Sequence, residues 1–214
     1  MSSLVIQQLL EQFGIAVAAV TGVLAARGKR IDLFGALVLA LVTAFGGGTV
    51  RDLLVGDTPV TWLRNPSYLL NAAMTALSAF YAVRVWTLPR QALLVADAFA
   101  LALFTMIGAR KGVALEFSIS VAVLLGVVTG VAGGILRDVL IGEVPLVFQP
   151  EIHLYATAAM CGAAAFALLR HAGLPEHAAT AIGGALVLAL RLAGIRWKLS
   201  LPVIEARTTG FGER

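Results

Sequence analysis

The chain has 214 residues, of which 59% are hydrophobic and only 13% are charged, and its formal net charge is +4. A soluble domain would carry roughly a quarter of its residues as charges. It would also alternate short apolar strands with amphipathic helices. Here the apolar residues form blocks of about twenty, the length that crosses a bilayer as a helix. The sequence therefore predicts an all-α integral membrane protein. Its single cysteine, Cys161, excludes intrachain disulfides and cysteine-based metal sites.

Seven membrane-spanning helices are predicted in chain order, with approximate bounds 4–26, 31–56, 67–85, 91–109, 115–142, 152–169 and 177–195. Basic turns end the first helix, at residues 27–30, and the fourth, at Arg110 and Lys111. Trp62 and Trp86 flank the third helix, where aromatic side chains favour the membrane–water interface. A cleaved signal peptide is a weaker interpretation of the first block, because residues 1–3 carry no basic side chain and the block is too long.

An internal duplication organises the chain. Residues 46–59 return 86 positions later as residues 132–145, with Gly-Gly, Arg-Asp, Leu, Gly and Pro in the same order. Each copy lies in the middle helix of a unit of three, and Glu11 of the first unit matches Asp97 of the second. Because three is odd, the second unit is inverted relative to the first, as in many transport proteins. We divide the chain into repeats at 1–87 and 88–172, a seventh helix at 173–197 and a cytoplasmic tail at 198–214.

The orientation follows from counting Lys and Arg on the two sets of loops. One side holds Arg64, Arg110, Lys111 and Arg170. The other side is richer and holds Arg27, Lys29, Arg30, Arg84, Arg90, Arg196, Lys198, Arg207 and Arg214. The N-terminus is therefore predicted outside and the C-terminus in the cytoplasm. Cations in these places meet anionic lipid headgroups, so the positive net charge requires no nucleic-acid partner.

The main ionisable side chains predicted at membrane depth are Arg51, Asp52, Asp97, Arg137 and Asp138, with Arg191 nearer the end of its helix. Each costs about 2.5–3.5 kcal/mol at a helix centre on insertion scales, so they are expected to face protein or water. Neighbouring residues on a helix point about 100° apart, which disfavours pairing within each Arg-Asp dipeptide. We therefore expect Arg51 to pair with Asp138, and Arg137 with Asp52, across the pseudo-twofold axis. For Asp97 a pore-lining role and a buried structural role are both open.

The glycines of the motif, Gly46, Gly47, Gly48, Gly133 and Gly134, are expected to bend or unwind their helices and to let backbones approach closely. Freed carbonyls and the hydroxyls of Thr43, Thr49 and Thr129 would then replace part of the hydration shell of a cation. Simple helix packing is an equal alternative for the glycines alone. The whole duplicated constellation favours a water-filled pathway.

The duplicated Gly-Gly-x-x-Arg-Asp motif, each copy in the second helix of a three-helix repeat and followed by a seventh helix, resembles the prokaryotic trimeric intracellular cation (TRIC) channels. That family has also been described as a glycine transporter family. The resemblance implies a homotrimer with one pore in each protomer, lined by kinked second and fifth helices and passing K⁺ and, less selectively, Na⁺. Carried over by motif position, the two Arg-Asp pairs fall at the constriction, with a monovalent cation near Asp138.

A monovalent cation channel of a bacterial or archaeal inner membrane is thus the leading functional hypothesis, with lipids, permeating cations and two further copies as partners and no cofactor. The alternative is a secondary transporter for glycine or another small zwitterion, and a non-conducting structural membrane protein is a distant third. No catalytic arrangement of side chains occurs at usable spacing, so an enzyme is not expected.

Overall fold

The computed structural model describes residues 3–86, 89, 91–149 and 154–199, and within these it contains helices but no strand. The helices are α1 (Ser3–Ala26), α2 (Leu33–Leu54), α3 (Thr61–Arg64), α4 (Pro66–Val85), α5 (Ala92–Ala114), α6 (Ile119–Leu140), a 3₁₀ turn (Leu146–Phe148), α7 (Tyr155–His171) and α8 (Glu176–Trp197). The seven long helices correspond to the seven predicted ones. Most of the predicted cytoplasmic tail lies outside the described residues.

The chain is an integral membrane protein built of helices. Among the described residues, five helices (α1, α2, α5, α6 and α8) are both long and apolar enough to cross a bilayer by length and composition. The other two long helices, α4 and α7, are the third helix of each repeat. Helix α7 has only 17 residues, and α4 carries polar Asn71, Thr75 and Ser78. Asn71 donates a hydrogen bond to the Gln12 carbonyl of α1, so part of this polarity is satisfied within the protein.

The two motif helices end in the same way, which shows the duplication at the level of the backbone. After α2 the chain turns through Gly56, and after α6 through Gly142, each with a φ of 70°. A left-handed residue just past a helix is most readily glycine, because it has no Cβ. The amide of Asp57 then donates to the Asp52 carbonyl, and the amide of Glu143 donates to the Asp138 carbonyl. The repeated Gly of the motif is therefore a helix terminator in both copies.

Helices α2 and α6 cross at the centre of the molecule through glycine. A Cβ on Gly47 would lie 2.1 Å from the Thr129 carbonyl oxygen, and a Cβ on Gly133 would lie 2.4 Å from the Thr43 carbonyl oxygen. These contacts are reciprocal under the 86-residue repeat and mark the pseudo-twofold axis. The close backbone approach expected of these glycines is present. The expected unwinding is not, since α2 and α6 remain α-helical through both glycine clusters.

The remaining helices pack around this crossing. In the first repeat, α1 and α4 pack against α2, and in the second, α5 and α7 pack against α6. Helix α8 packs against α5 and α7, on the outside of the second repeat. Its Val187 joins a buried apolar cluster with Leu101 and Met106 of α5 and Phe166 of α7. The seventh long helix therefore belongs structurally to the second repeat.

The helix bounds differ most from the sequence analysis at the end of α5, and two short elements were not predicted. Helix α5 continues to Ala114, so Arg110 and Lys111 lie in its last turns rather than in a turn that follows it. Cations are favoured there because the C-terminal end of a helix carries a partial negative charge. The short helix α3 and the 3₁₀ turn were not predicted, because segments of four and three residues leave no periodic pattern.

Candidate ion pathway and its charged clusters

A central cavity lies between α1, α2, α5 and α6, beside the glycine crossing. It is narrow, with about 10 Å³ open to the centres of water-sized spheres, and is lined by Thr21, Thr43, Gly47, Asp97, Thr129, Gly133 and Gly134 together with apolar side chains. Three of its hydroxyls donate to carbonyls of their own helices: Thr21 to Ala18, Thr43 to Leu39 and Thr129 to Leu125. Since each hydroxyl proton is used in this way, the oxygen lone pairs remain for other partners. The cavity is therefore suited to accept from water or to coordinate a cation.

A second, wider cavity, with about 50 Å³ open to the centres of water-sized spheres, lies beside it along the first repeat. Glu11, Gly48, Arg51, Asp52, Thr61 and Tyr68 line it with aromatic and aliphatic side chains. Ala44 and Phe104 border both cavities. The two cavities are thus neighbours that share these two residues, and Gly48, Arg51 and Asp52 of the first motif copy line the second of them.

The first charged cluster is centred on Asp52. Its Oδ1 accepts hydrogen bonds from Arg51 Nε at 2.8 Å and from Lys111 Nζ at 2.6 Å. Its Oδ2 accepts from the backbone N–H and the hydroxyl of Thr61, both at 2.8 Å. Because Thr61 is the first residue of α3, the carboxylate also fixes where that short helix begins. Asp52 is completely buried, and four donors compensate its charge.

Lys111 links this cluster to the aqueous end of α2. Its ammonium also pairs with Asp57 Oδ2 at 2.5 Å, and Arg64 contacts the other oxygen of Asp57. Hydrogen bonds from Lys111 and then from Arg64 hold the pKa of Asp57 below its usual range. Lys111 comes from α5 of the second repeat, so this contact joins the two repeats. The sequence predicted Lys111 only in a basic turn, and this contact with the carboxylates was not foreseen.

The second charged cluster is centred on Asp138 and follows the same plan. Oδ1 of Asp138 accepts from Arg137 Nε at 2.7 Å. Oδ2 accepts from the backbone N–H of Leu146, the first residue of the 3₁₀ turn, at 2.9 Å. Arg137 also donates to Asp97 Oδ1 at 3.0 Å. Each motif Asp therefore binds its own Arg and the first amide of the next short helix.

Helix α8 completes the second cluster with a residue that has no counterpart in the first repeat. Arg191 Nη2 lies 3.9 Å from Asp97 Oδ2, and its guanidinium lies over the Tyr155 ring at 4.5 Å from the centroid. Arg137 and Arg191 are both fully buried. Gly134 lies beside this group, and a Cβ there would be 3.2 Å from the Tyr155 hydroxyl, which is a tight contact. Asp97 is thus a buried partner of two arginines that also borders the central cavity.

The expected pairing of Arg51 with Asp138 and of Arg137 with Asp52 is wrong. Both arginines pair with the aspartate that follows them in sequence. The physical reason is that α2 and α6 run in opposite directions and cross at Gly47 and Gly133. Their charged ends lie four to five residues beyond the crossing, or about 6–8 Å away on opposite sides. Each arginine side chain is long enough to fold back to its neighbour, whose carboxylate is already held at the helix end.

Not all of the other residues predicted for the site line one of the two cavities. Thr49 donates to the Phe45 carbonyl at 2.8 Å and accepts from Trp62 Nε1 at 3.0 Å. Gly46 packs against Leu136 of α6. Within the described part of the chain, these two and the pair Arg137 and Asp138 are not among the residues lining either cavity. Glu11, the repeat counterpart of Asp97, accepts a hydrogen bond from the Tyr68 hydroxyl.

Comparison with known proteins identifies relatives along almost the whole chain. A family model described as "Glycine transporter" matches residues 8–84 and 94–171, and each range contains one copy of the motif. The UPF0126 inner membrane protein YadS of Escherichia coli is 42% identical over 203 residues, covering 94% of this chain and 97% of that protein.

Solved structures agree with this result. The trimeric intracellular cation channel orthologue from Rhodobacter sphaeroides is 39% identical and superimposes with a TM-score of 0.85, covering 91% of this chain and 99% of its own. A second TRIC cation channel is 33% identical, has the same TM-score and covers 94% and 98% of the two chains. A shared fold at this identity, together with the duplicated motif in the two crossing helices, shows that this chain belongs to the TRIC family, whose family model carries the description "Glycine transporter".

Proposed function

We propose that the protein is a passive channel for monovalent cations, with the pathway running through each protomer past the glycine crossing. The observation that carries this proposal is the pair of neighbouring cavities between the repeats, one lined by hydroxyl oxygens and the other by the Asp52 cluster. Solved relatives that are named as cation channels support it. The family does not consist of enzymes, and no cofactor is part of the proposal.

The finer features of the proposal follow the family. We expect K⁺ to permeate, and Na⁺ to permeate as well. We also expect three copies to assemble, each with its own pathway. The cation predicted near Asp138 would have to compete with Arg137 Nε and the Leu146 amide for both carboxylate oxygens. We therefore place the first cation contact at the oxygens of the central cavity, where the hydroxyls of Thr43 and Thr129 have already donated their protons.

Single-channel recording of the purified protein in planar bilayers under a KCl gradient tests the proposal. Currents should be discrete and reverse near the potassium equilibrium potential. Thr129→Val replaces a cavity oxygen with a methyl group and should lower the conductance by about twofold or more, because one ligand of the dehydrated cation is lost. Thr180→Val, in α8 and outside the lining of both cavities, is the matched control and should conduct like the wild type. Equal conductance of both variants would contradict a pathway through the central cavity.

A carrier for glycine is the second candidate, favoured by the description of the family model and by opposite charges, Glu11 and Arg51, on the wall of the second cavity. A carrier alternates between two states and shows saturable uptake with exchange. The same preparation, reconstituted into vesicles, should therefore be assayed for radiolabelled glycine. Uptake that saturates, in a preparation that shows no unitary current, would replace the channel by the carrier.

A further inference from the structure

The two charged clusters are balanced by residues that the duplication does not relate. Each repeat has two acids and one arginine at matching positions: Glu11, Asp52 and Arg51 in the first, Asp97, Asp138 and Arg137 in the second. Each charged cluster also has a balancing cation that comes from outside its own repeat unit. In the first it is Lys111 from α5, and in the second it is Arg191 from α8. The position that matches Lys111 in the first repeat is Ala25, so the 86-residue register does not relate the two balancing cations.

The two balancing cations differ in how firmly they are held. Arg191 has no solvent exposure and lies against the Tyr155 ring. A buried guanidinium in such a place remains charged, and removing it would leave a carboxylate uncompensated. The Lys111 side chain is 19% exposed and reaches its two carboxylates through a flexible stem at the end of α5. An ammonium is a compact, strongly hydrated charge, so Lys111 can move into water while Arg191 cannot.

We propose that Lys111 is a tethered cation that sets the access of permeating cations at the Asp52 end of the pathway, whereas Arg191 neutralises the other end permanently. The proposal rests on the proposed channel function. Lys111 Nζ lies between Asp52 Oδ1 and Asp57 Oδ2, where a free cation would bind the same two oxygens. Arg51, Thr61 and Arg64 keep their own contacts with these acids when Lys111 leaves. Loss of Lys111 therefore exposes negative charge at this end without dismantling the cluster.

Recording Lys111→Gln in planar bilayers tests this role. Conductance at 50 mM KCl should rise about twofold over the wild type, and the ratio should approach one at 1 M KCl, where the Debye length shrinks to about 3 Å. Arg110→Gln is the matched control, because it removes the neighbouring positive charge, whose partner is Glu176 rather than the motif. Arg191→Gln should lower the melting temperature without raising conductance. Equal ratios for Lys111→Gln and Arg110→Gln, or a gain of conductance in Arg191→Gln, would overturn the proposal.

A binding measurement separates this proposal from the channel function itself. Without Lys111, the carboxylates of Asp52 and Asp57 should bind Mg²⁺, so 10 mM MgCl₂ should raise the melting temperature of Lys111→Gln by about 3 °C. The wild type, Arg110→Gln and the double variant Lys111→Gln with Asp57→Asn should show no such shift. If Mg²⁺ raises the melting temperature of Lys111→Gln but the protein passes no current, the channel function is refuted and the role of Lys111 as a tethered cation is supported. No shift beyond that of Arg110→Gln would refute the tethered cation even in a conducting protein.

Discussion

At the residue scale, the two crossing glycines are closely enclosed by the backbone of the opposite helix. Gly47 and Gly133 each place their Cα against a threonine carbonyl of the opposite motif helix. Backbone cannot move aside as a flexible side chain can, so no larger residue fits without separating the helices. The neighbouring Gly48 belongs to the same cluster in sequence but has open space, its nearest atom being Arg51 Nη2 at 3.8 Å. The close backbone contact therefore explains the glycine at position 47 but not the one at position 48.

We predict opposite outcomes for alanine at these two positions. Gly47→Ala should cost about 1–3 kcal/mol of stability by overpacking the crossing, which corresponds to a melting temperature lower by about 5 °C. Gly48→Ala should be neutral or slightly stabilising, because alanine is favoured over glycine in a helix by about 1 kcal/mol. Thermal unfolding of both variants in detergent is the measurement. Equal destabilisation would show that a helix bend, and not the close approach, requires the glycines.

Sequence reasoning reached some of these residues and not others. The repeat revealed the glycines and both Arg-Asp pairs, since it aligns homologous positions. It could not reveal Lys111 or Arg191 as partners, because the 86-residue register matches Lys111 with Ala25, and Arg191 lies in α8, outside both repeats. It also misassigned the partners of Arg51 and Arg137, because the direction of the crossing helices, and not side-chain angle alone, decides which charges meet.

At the element scale, the end of α2, the short α3 and the end of α5 form one unit. Asp52 receives the first amide of α3. Asp57 follows α2 and is held by Arg64, the last residue of α3, and by Lys111 of α5. On the other side of the crossing, the repeat counterpart of Asp57, Glu143, pairs with Lys29 at 2.5 Å. Each motif helix is therefore joined, just past its end, to a lysine near the end of the first helix of the opposite repeat.

The Asp57 unit should be sensitive to acid. The pKa of Asp57 is lowered on folding, chiefly by Lys111. Its contribution to stability is therefore complete above the ordinary aspartate pKa of about 3.9 and is lost as the pH falls through the lower folded value. The wild type should melt about 1–2 °C higher than Asp57→Asn at pH 6, since the pair is partly exposed. The difference should shrink as the pH falls from 5 to 3.

The same substitution in the Lys111→Gln background serves as its control. There Asp57 retains only Arg64 as a charged partner, so adding Asp57→Asn to Lys111→Gln should lower the melting temperature at pH 6 by less than it does in the wild type. A difference that is independent of pH, or one that grows towards pH 3, would contradict the assignment of Asp57 as a charged partner.

At the element scale the long helices were predictable, because apolar blocks of membrane length are the strongest signal in this sequence. Their ends were less so. Helix α5 was predicted to end at residue 109 but continues to Ala114. The basic residues do not end it, because Lys111 pairs with the carboxylates of Asp52 and Asp57 and the helix dipole favours its charge. Helix α3 and the 3₁₀ turn escaped prediction, although the Asp of each motif copy determines where they begin.

At the scale of the whole molecule, the inverted arrangement was predictable from the odd number of helices in each repeat. Its orientation in the membrane is a separate matter, which rests on the distribution of Lys and Arg. A protein fused to the C-terminus tests it. A green fluorescent protein fusion should fluoresce and an alkaline phosphatase fusion should be inactive, because the C-terminus is predicted in the cytoplasm. An active phosphatase fusion without fluorescence would reverse the orientation.

The reciprocal glycine contact also bears on how such a chain arose. The crossing face of either repeat is complementary to the same face of the other repeat turned upside down, and each helix supplies both the glycine and the carbonyl that the contact needs. An ancestor with a single repeat would have covered this face only by associating with an inverted copy of itself, which requires that it inserted into the membrane in both directions. In a single chain that holds both repeats, the antiparallel pairing is fixed covalently, and α8 adds the Arg191 charge to the second cluster.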